Sequence, residues 1–307
     1  MSPRLEPARN NPTREFMRST KTIAGLIVGS VAVATLAFSS TFAQGPARAK
    51  ALNAITSAAP AKAPVVRVSG MDFSFDAPDV IPAGLTEFRF TNKGPSLHHM
   101  QILKLEGGKT VDDLRVALAN PGPPPAWVKE VGGPNAPAPG LESNTTVMLE
   151  PGNYALICFV DIGGPPHFMK GMVRALRVVP STDASAPTPN VDVTATLFDY
   201  GFKLSSPIQA GTRTIRVLNG GAQHHEIELV QLLPGGSAAD FLKWMGKMEG
   251  PPPGKPLGGV AALDVGASQY FTADFAPGNY ALICFLPDAK DGKPHFAHGM
   301  IQQITVN

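Results

Sequence analysis

The nonapeptide PGNYALICF occupies residues 151–159, and the same nine residues occur again at positions 277–285. Each copy starts with a Pro-Gly turn and continues as an apolar run, a pattern that predicts a buried strand. The two cysteines of the chain, Cys158 and Cys284, stand at the same place in the two copies. Nine identical residues at two places in one chain indicate an internal duplication.

The duplication extends to both sides of this stretch at an almost constant offset of 126 to 128 residues. Repeats of solenoids and propellers reach only about 50 residues, so a period of this length indicates a whole domain that occurs twice. The pairs that define the offset are Asn92 and Asn219, His98 and His225, Cys158 and Cys284, His167 and His295, and Met172 and Met300.

Composition predicts where the two domains begin and end. Residues 181–190, STDASAPTPN, have the composition of a linker. They separate two units, residues 65–180 and 191–307, each of about 115 residues, which is a usual size for one domain. Residues 44–64 are rich in Ala, Pro and Lys and are predicted to form a flexible tether.

The first 43 residues have the features of a signal peptide. Basic residues precede an uncharged apolar run of 16 residues at positions 23–38, and small residues follow where cleavage would occur. A membrane helix needs roughly 20 apolar residues, so an uncleaved anchor is the alternative interpretation. We therefore predict an exported protein, periplasmic or extracellular, without a membrane span after signal cleavage.

The formal charge of the chain argues against a role in nucleic-acid binding. The first 43 residues hold five of the 26 basic and two of the 24 acidic residues, which leaves 21 basic and 22 acidic residues in the remainder. The net charge of +2 therefore belongs to the leader, and the mature chain lacks the basic excess that nucleic-acid binding requires.

The fold class follows from the density of turn residues. Each unit contains seven or more short apolar or alternating runs separated by Gly and Pro, a pattern typical of a Greek-key β-sandwich. One helix per unit interrupts the strands: Thr110 can cap a helix over residues 111–119, and Ser237 can cap an equivalent helix. The predicted fold is all-β, with two tandem β-sandwiches that each contain one short inserted helix.

One histidine per unit faces the predicted core, because side chains alternate along a strand. The residues predicted to share the core face are His98, Met100 and Ile102 in the first unit and His225, Ile227 and Leu229 in the second. Those predicted to point the other way are His99, Gln101, Glu226 and Glu228.

In each unit the core-facing histidine is followed by the cysteine and then by a His-x4-Met loop. Two imidazoles, a thiolate and a thioether suit copper in an electron-transfer site, whereas zinc prefers tetrahedral nitrogen, sulfur or oxygen ligands and rarely recruits a thioether. The candidate metal ligands are His98, Cys158, His167 and Met172 in the first unit and His225, Cys284, His295 and Met300 in the second. We predict at most one copper ion per unit.

The stretch from Gly152 to Cys158, followed by His167 and Met172, resembles the signature of the blue copper, or cupredoxin, family: G-x-Y-x3-C and then H-x4-M. The resemblance covers both units and implies a cupredoxin-like sandwich with a type 1 copper that cycles between Cu(I) and Cu(II). Plastocyanin-like proteins have shorter loops between the cysteine and the second histidine than the eight and ten residues here. The eight-residue loop is similar to that of the type 1 site in copper nitrite reductases.

The residues beside the cysteines argue against a copper enzyme. Multicopper oxidases and nitrite reductases place a histidine directly next to the type 1 cysteine, whereas isoleucine and phenylalanine flank both cysteines here. The chain has no His-x-His pair, and seven histidines are too few for two type 1 sites and a trinuclear cluster. The three left over, His99, His224 and His298, do not match the type 2 ligands of that family and are interpreted as two solvated strand residues and one exposed loop residue.

Three alternatives for the site residues stay open. Cys158 and Cys284 could form a disulfide, although each lies in the middle of its own unit. Both could instead pack as small apolar residues in a metal-free interaction module. Met169 could replace Met172 as the axial ligand, although its spacing from His167 fits the signature less well.

The sequence thus predicts an exported electron carrier with up to two type 1 copper ions and no enzymatic activity of its own. In the family, the second histidine commonly serves as the exit of the electron. Apolar residues near His167, among them Pro165, Pro166 and Phe168, suit brief docking of a redox partner protein. Copper sequestration or delivery is the alternative function.

Overall fold

The computed structural model describes residues 62–119, 122, 124–162, 164–183 and 186–307. The predicted signal peptide, residues 1–43, and residues 44–61 of the predicted tether lie outside the described residues. Within the described part of the chain, no helix is long and apolar enough to cross a membrane. We refer to residues 65–180 as the first half and to residues 191–307 as the second half; these boundaries stay predictions.

The strands of the two halves follow each other in the same order. Those of the first half are β1 (Val65–Met71), β2 (Ser74–Asp76), β3 (Val80–Pro82), β4 (Gly84–Asn92), β5 (Gln101–Leu105), β6 (Val128–Gly132), β7 (Glu142–Leu149), β8 (Gly152–Ile157) and β9 (Val173–Val179). Those of the second half are β10 (Val193–Phe198), β11 (Gly201–Leu204), β12 (Gly211–Asn219), β13 (His225–Leu232), β14 (Gly254–Leu263), β15 (Ser268–Phe275), β16 (Gly278–Ile283) and β17 (Ile301–Val306). Among the described residues, only β3 has no counterpart in the other half.

The strands form two sheets. The eight-stranded sheet has the order β11-β10-β12-β15-β7-β4-β1-β2, and the nine-stranded sheet has the order β17-β16-β13-β14-β6-β5-β8-β9-β3. In both halves the first strand pairs in parallel with a later one, β1 with β4 and β10 with β12. Each half is thus a two-layer sandwich with crossed connections, and the predicted all-β fold with two tandem sandwiches is confirmed.

Equivalent strands of the two halves meet where the sheets join, and we call this junction the seam. β15 pairs with β7 through Tyr270 and Thr146, and β14 pairs with β6 through Leu263 and Val131. These four strands would otherwise be sheet edges with unpaired amide and carbonyl groups. The seam therefore makes both sheets continuous through the two halves, which the sequence pattern of separate domains does not predict.

The repeated nonapeptide closes its turn in the same way in each half. The Tyr154 hydroxyl donates to the carbonyl oxygen of Glu150 at 2.9 Å, and Tyr280 donates to Ala276 at 2.9 Å. The glycine of each turn has a positive φ, +156° at Gly152, a conformation that favours glycine over residues with a Cβ. The turn therefore needs both the glycine and the tyrosine, which is a physical reason why both recur.

Each sandwich has its own apolar core, and each core contains the cysteine and the methionine of its half. Cys158 and Met172 lie in the cluster of the first half, and Cys284 and Met300 lie in that of the second. All four side chains are fully buried. The predicted disulfide alternative is wrong, since both cysteines are free.

The two predicted helices are present and begin at the predicted residues. α1 spans Val111–Leu118 and α2 spans Ala238–Met245. Thr110 and Ser237 each form a capping box with the aspartate three residues on, in which the hydroxyl accepts an amide hydrogen and the carboxylate accepts one in return. Such a cap stabilises a helix by about 1 kcal/mol. Both helices lie on the outer face of the nine-stranded sheet, over small apolar clusters of their own.

Candidate metal centres

Three of the predicted ligands of the first half converge in its core. The Nδ1 atoms of His98 and His167 are 3.0 Å apart, and Sγ of Cys158 lies 3.5 Å from Nδ1 of His167. The three side chains are at most 3% exposed. Their ligand atoms thus surround one point inside the sandwich, as a metal site requires.

Strand pairing brings His98 to Cys158. β5 runs antiparallel to β8 with Gln101 opposite Ile157, so the residues just before β5 lie beside the residue that follows β8. The loop to His167 is closed by two backbone hydrogen bonds, from the amide of His167 to the carbonyl of Val160 and from Phe168 to Cys158, both at 2.9 Å. The eight residues between cysteine and histidine therefore form a fixed loop that returns the imidazole to the thiol.

Met172 is joined to two of these residues, His167 and Cys158, by backbone hydrogen bonds. Its amide donates to the carbonyl of His167 at 3.0 Å, and its carbonyl accepts the amide of Cys158 at 3.1 Å. The Met172 side chain is fully buried, whereas that of Met169 is 64% exposed. Burial favours Met172 over Met169 as the axial ligand, and its coordination to a metal stays a prediction.

The second half repeats this arrangement. The Nδ1 atoms of His225 and His295 are 3.1 Å apart, and Sγ of Cys284 lies 3.3 Å from Nδ1 of His295. The ten-residue loop is closed by equivalent bonds, from His295 to Leu286 and from Phe296 to Cys284. Met300 bridges His295 and Cys284 through its backbone as Met172 does in the first half. The two extra loop residues do not change the geometry of the three donor atoms.

A carboxylate fixes the tautomer of the first histidine in each half. Oδ1 of Asp72 is 2.5 Å from Nε2 of His98, and Oδ1 of Asp199 is 2.5 Å from Nε2 of His225. Because a carboxylate accepts hydrogen bonds, Nε2 carries the hydrogen and Nδ1 keeps its lone pair for a metal. Sequence reasoning missed these aspartates, although both precede their histidine by 26 residues.

Glycine makes room for each aspartate and histidine pair. A Cβ on Gly94 would lie 2.6 Å from Nε2 of His98 and 2.7 Å from Oδ1 of Asp72. The equivalent Gly221 leaves no more space, since its Cβ would lie 2.5 Å from the corresponding atoms of His225 and Asp199. Any larger residue would push the carboxylate away from the imidazole.

Asn92 and Asn219, whose recurrence helped to define the repeat, hold these glycine turns in place. The Asn92 side chain accepts the amide hydrogen of Gly94 at 3.1 Å and donates to the carbonyl of Ser96 at 2.8 Å. Asn219 makes the same two bonds, to Gly221 at 3.0 Å and to Gln223 at 2.9 Å. The asparagines therefore position the turn that leads into the first histidine.

Burial determines the protonation of the candidate ligands without a metal. Burial, followed by the neighbouring imidazole, lowers the pKa of His167 and of His295 to about 4. Burial also lowers the pKa of His98 and His225, against the pull of the aspartates, and raises the pKa of the Cys158 thiol to about 12. At neutral pH the imidazoles are thus neutral and ready to bind, and a metal would displace only the thiol proton.

His99 and its counterpart Glu226 contact the backbone beside the cysteines. Nε2 of His99 accepts the amide hydrogen of Phe159 at 2.9 Å, and Oε1 of Glu226 accepts that of Phe285 at 2.9 Å. The interpretation of His99 as a solvated strand residue is wrong, because it lies just before β5 and is buried at the seam beside Asn135, and burial lowers its pKa to about 4. His224 and His298 are exposed, as predicted.

The second histidine of each half is covered by an aromatic ring that differs between the halves. The ring centre of Phe73 lies 4.7 Å from that of His167, and Nζ of Lys170 lies 4.4 Å above the Phe73 ring. Tyr200 takes the place of Phe73, with its ring centre 5.3 Å from His295, and its hydroxyl donates to the carboxylate of Asp288. The two centres are therefore alike in donor atoms and different at the protein surface.

Fold and site together define an all-β protein with two β-sandwich halves, each of which encloses a buried His-Cys-His cluster with an adjacent methionine. No protein-family model matches the chain, and no curated protein matches it either.

Solved structures of copper proteins resemble parts of the chain. An auracyanin from Roseiflexus castenholzii is 20% identical, covers 39% of this chain and 99% of its own, and has a TM-score of 0.27. A blue copper oxidase from Nitrosomonas europaea is 16% identical. The match covers 80% of this chain and 86% of the oxidase chain, with a TM-score of 0.25. A copper nitrite reductase from the same organism is 13% identical. The match covers 80% of this chain and 94% of the reductase chain, with a TM-score of 0.24.

Proposed function

We propose that each half binds one copper ion in a type 1 site and that the protein carries electrons, one per copper. The observation that carries this proposal is the convergence, in both halves, of two Nδ1 atoms and one Sγ atom inside an apolar core. Histidine nitrogen, cysteine sulfur and methionine sulfur form the donor set that suits copper and that zinc seldom uses. Auracyanins, one of the structural neighbours, are described as blue copper proteins, which agrees with this proposal.

The protein contributes a rigid donor set to this function. Copper supplies the one-electron chemistry when it is bound. Because backbone hydrogen bonds and strand pairing hold the donor atoms, both oxidation states would share nearly one geometry, so an electron can pass with little rearrangement. The carboxylates of Asp72 and Asp199 make the first imidazoles more basic, which favours Cu(II) over Cu(I).

We propose that electrons enter and leave past Phe73 and Tyr200 and not through an exposed imidazole. His167 is only 3% exposed and His295 is fully buried, and the partly exposed rings of Phe73 and Tyr200 pack against them. A redox partner protein would meet Lys170 beside Phe73 at the first centre and His298 beside Tyr200 at the second, since Asp288 is itself only 4% exposed. The two surfaces therefore differ in the residue beside the ring, a lysine at the first centre and a histidine at the second, which favours different partners for the two centres.

Copper titration of the purified mature chain tests the proposed function. We expect two equivalents of Cu(II) to bind with intense visible absorption, and we expect the colour to disappear with a reductant and to return with an oxidant through several cycles. Zn(II) at the same concentration serves as the control for unspecific binding. A chain that binds only Cu(I) and does not cycle would favour sequestration, and one that binds no copper would contradict the proposal.

Asp72→Asn should raise the reduction potential of the first centre. The amide keeps a hydrogen-bond acceptor near Nε2 of His98 but removes the negative charge that stabilises Cu(II). Loss of a hydrogen-bond partner of a ligand histidine lowers metal affinity by about tenfold to a hundredfold. If only the affinity for Cu(II) falls by this factor, the reduction potential of the centre rises by about 60 to 120 mV. The measurement is a spectroscopic redox titration in the Cys284→Ser background, which leaves only the first centre.

Asp112→Asn is the matched control for this variant, since the Asp112 side chain is 87% exposed on α1. It should leave the potential unchanged. An unchanged or lowered potential in Asp72→Asn would show that the carboxylate does not act on the metal through His98.

A further inference from the structure

A cavity of about 250 Å³ lies at the seam, and residues of both halves line it. We call it the seam cavity. Its polar lining includes His99 and Asn135 from the first half and Glu226 and Glu228 from the second. Phe159 and Phe285, the residues that directly follow the two cysteines, also line it. An occupant would therefore lie beside the backbone of both candidate metal centres, although it would contact none of their ligands.

The two glutamates of the seam cavity are nearly inaccessible to solvent, at 4% and 5% exposure. Both oxygens of Glu226 are hydrogen-bonded, Oε1 to the amide of Phe285 at 2.9 Å and Oε2 to Nδ2 of Asn135 at 3.2 Å. Oε2 of Glu228 accepts the amide hydrogen of Ala136 at 3.1 Å. The Gly258 amide also faces this carboxyl, but Oε1 makes no hydrogen bond of normal geometry.

Among the residues that line the seam cavity, no lysine or arginine compensates these carboxyl groups. The ionisable residues that line the seam cavity are Asp161, Glu226, Glu228 and His99, and the lining contains neither lysine nor arginine. His99 accepts the amide hydrogen of Phe159 through Nε2 and is therefore not a cation in this arrangement. A buried carboxylate without a positive partner is costly, so a cation in the cavity would stabilise the ionised form.

The remaining walls of the seam cavity are apolar and aromatic. Phe159, Phe241, Phe285 and Met245 contribute to them. Phenylalanine rings attract organic cations as well as hydrocarbon groups. The volume lies below the range of about 300 to 1,000 Å³ that holds drug-sized ligands, which limits an occupant to a small molecule.

We propose that the seam cavity binds a small organic ammonium ion, with its nitrogen at Glu228 and its hydrocarbon part between the phenylalanines. A divalent metal ion fits less well, because the glutamates belong to none of the groups of three or more metal-ligating side chains that the described residues form. This site is separate from the proposed copper centres, so binding does not require copper.

Calorimetric titration of the metal-free full chain tests the site. The probe is benzylammonium, and the neutral probe of the same shape is benzyl alcohol. We expect benzylammonium to bind in a 1:1 ratio and at least ten times more tightly than benzyl alcohol. Glu228→Gln should weaken binding of benzylammonium at least tenfold, whereas Glu150→Gln, a change at a side chain that is 74% exposed, should leave it unchanged.

A second variant keeps the test decisive if Glu228→Gln does not fold. Met245→Trp fills the seam cavity from α2 without altering a carboxyl group, and it should abolish binding while the thermal unfolding of the chain stays cooperative. The proposal is overturned if benzylammonium does not bind, if benzyl alcohol binds equally well, or if Met245→Trp binds benzylammonium like the unmodified chain. Binding of Mg²⁺ in place of benzylammonium would overturn it in favour of a metal site.

Discussion

Cys158→Ser should abolish copper binding in the first half and leave the second half unchanged, so that the chain binds one equivalent in place of two. Serine has nearly the shape of cysteine, but its hydroxyl does not supply the soft thiolate on which the proposed site depends. Cys158 is the only one of the proposed ligands of this half whose sulfur can ionise to a thiolate. No neighbouring side chain can therefore replace it as the thiolate ligand. The intense visible absorption should fall by about half for the same reason.

Copper content and absorption of the purified variant check this prediction, and Cys284→Ser should give the reciprocal result. Met169→Leu is the matched control, because Met169 is exposed and should have no effect on either quantity. The new hydroxyl is buried and costs about 1 to 3 kcal/mol of stability, so thermal unfolding has to show that the variant is folded. A folded Cys158→Ser chain that still binds two equivalents would contradict the assignment of this ligand.

Much of this architecture could be predicted because its determinants are local or repeated. The Pro-Gly turn and apolar run of the nonapeptide became β8 and β16, and Thr110 and Ser237 cap the two helices as expected. Two copies of the same pattern also allowed strand faces to be compared between the halves. That comparison correctly placed His98 and His225 in the core, since both are fully buried.

Contacts between distant parts of the chain could not be predicted in this way. Asp72 approaches His98 across a parallel pair of strands and a glycine turn, and no local pattern marks an aspartate near the end of a strand as the partner of a histidine. His99 looked solvated, and Glu226 was predicted only to point away from the core, because strand alternation defines two faces but does not say what covers the second. At the seam, the other half of the chain covers this second face. His99 and Glu226 differ in chemistry, yet each accepts the amide hydrogen of the phenylalanine that follows the cysteine of its half.

The seam explains why several polar residues of one half are buried by the other. Gln101 donates to the carbonyl of Ala262 at 3.0 Å, and Gln269 accepts the amide hydrogen of Gly133 at 3.0 Å. Asn144 exchanges two hydrogen bonds with the backbone of Thr272, at 2.7 and 2.9 Å. Each of these groups satisfies a backbone donor or acceptor that strand pairing leaves free, so the seam is a specific interface and not merely a contact of two finished domains.

Residues 62–183 expressed alone should therefore not persist as a folded monomer. Without the second half, the edges of β6 and β7 are unpaired, and each buried polar group that loses its partner costs about 1 to 3 kcal/mol, against a total stability of about 5 to 15 kcal/mol for a domain. Because the strands that meet at the seam are equivalent, the isolated half can replace its lost strand pairing by pairing with a second copy of itself.

Sedimentation and thermal unfolding of the isolated half check this expectation, which is a dimer or an unfolded chain. The matched control is the full chain with a protease site inserted between residues 186 and 187, whose two fragments should stay together after cleavage because noncovalent contacts at the seam hold them. A first half that stays monomeric and unfolds cooperatively like the intact chain would contradict this prediction. The seam hydrogen bonds would then add nothing to the free energy of unfolding beyond what hydrogen bonds to water supply. In that case each half would fold independently of the other. Glu226 would then have to remain buried in the second half without the hydrogen bond from Asn135.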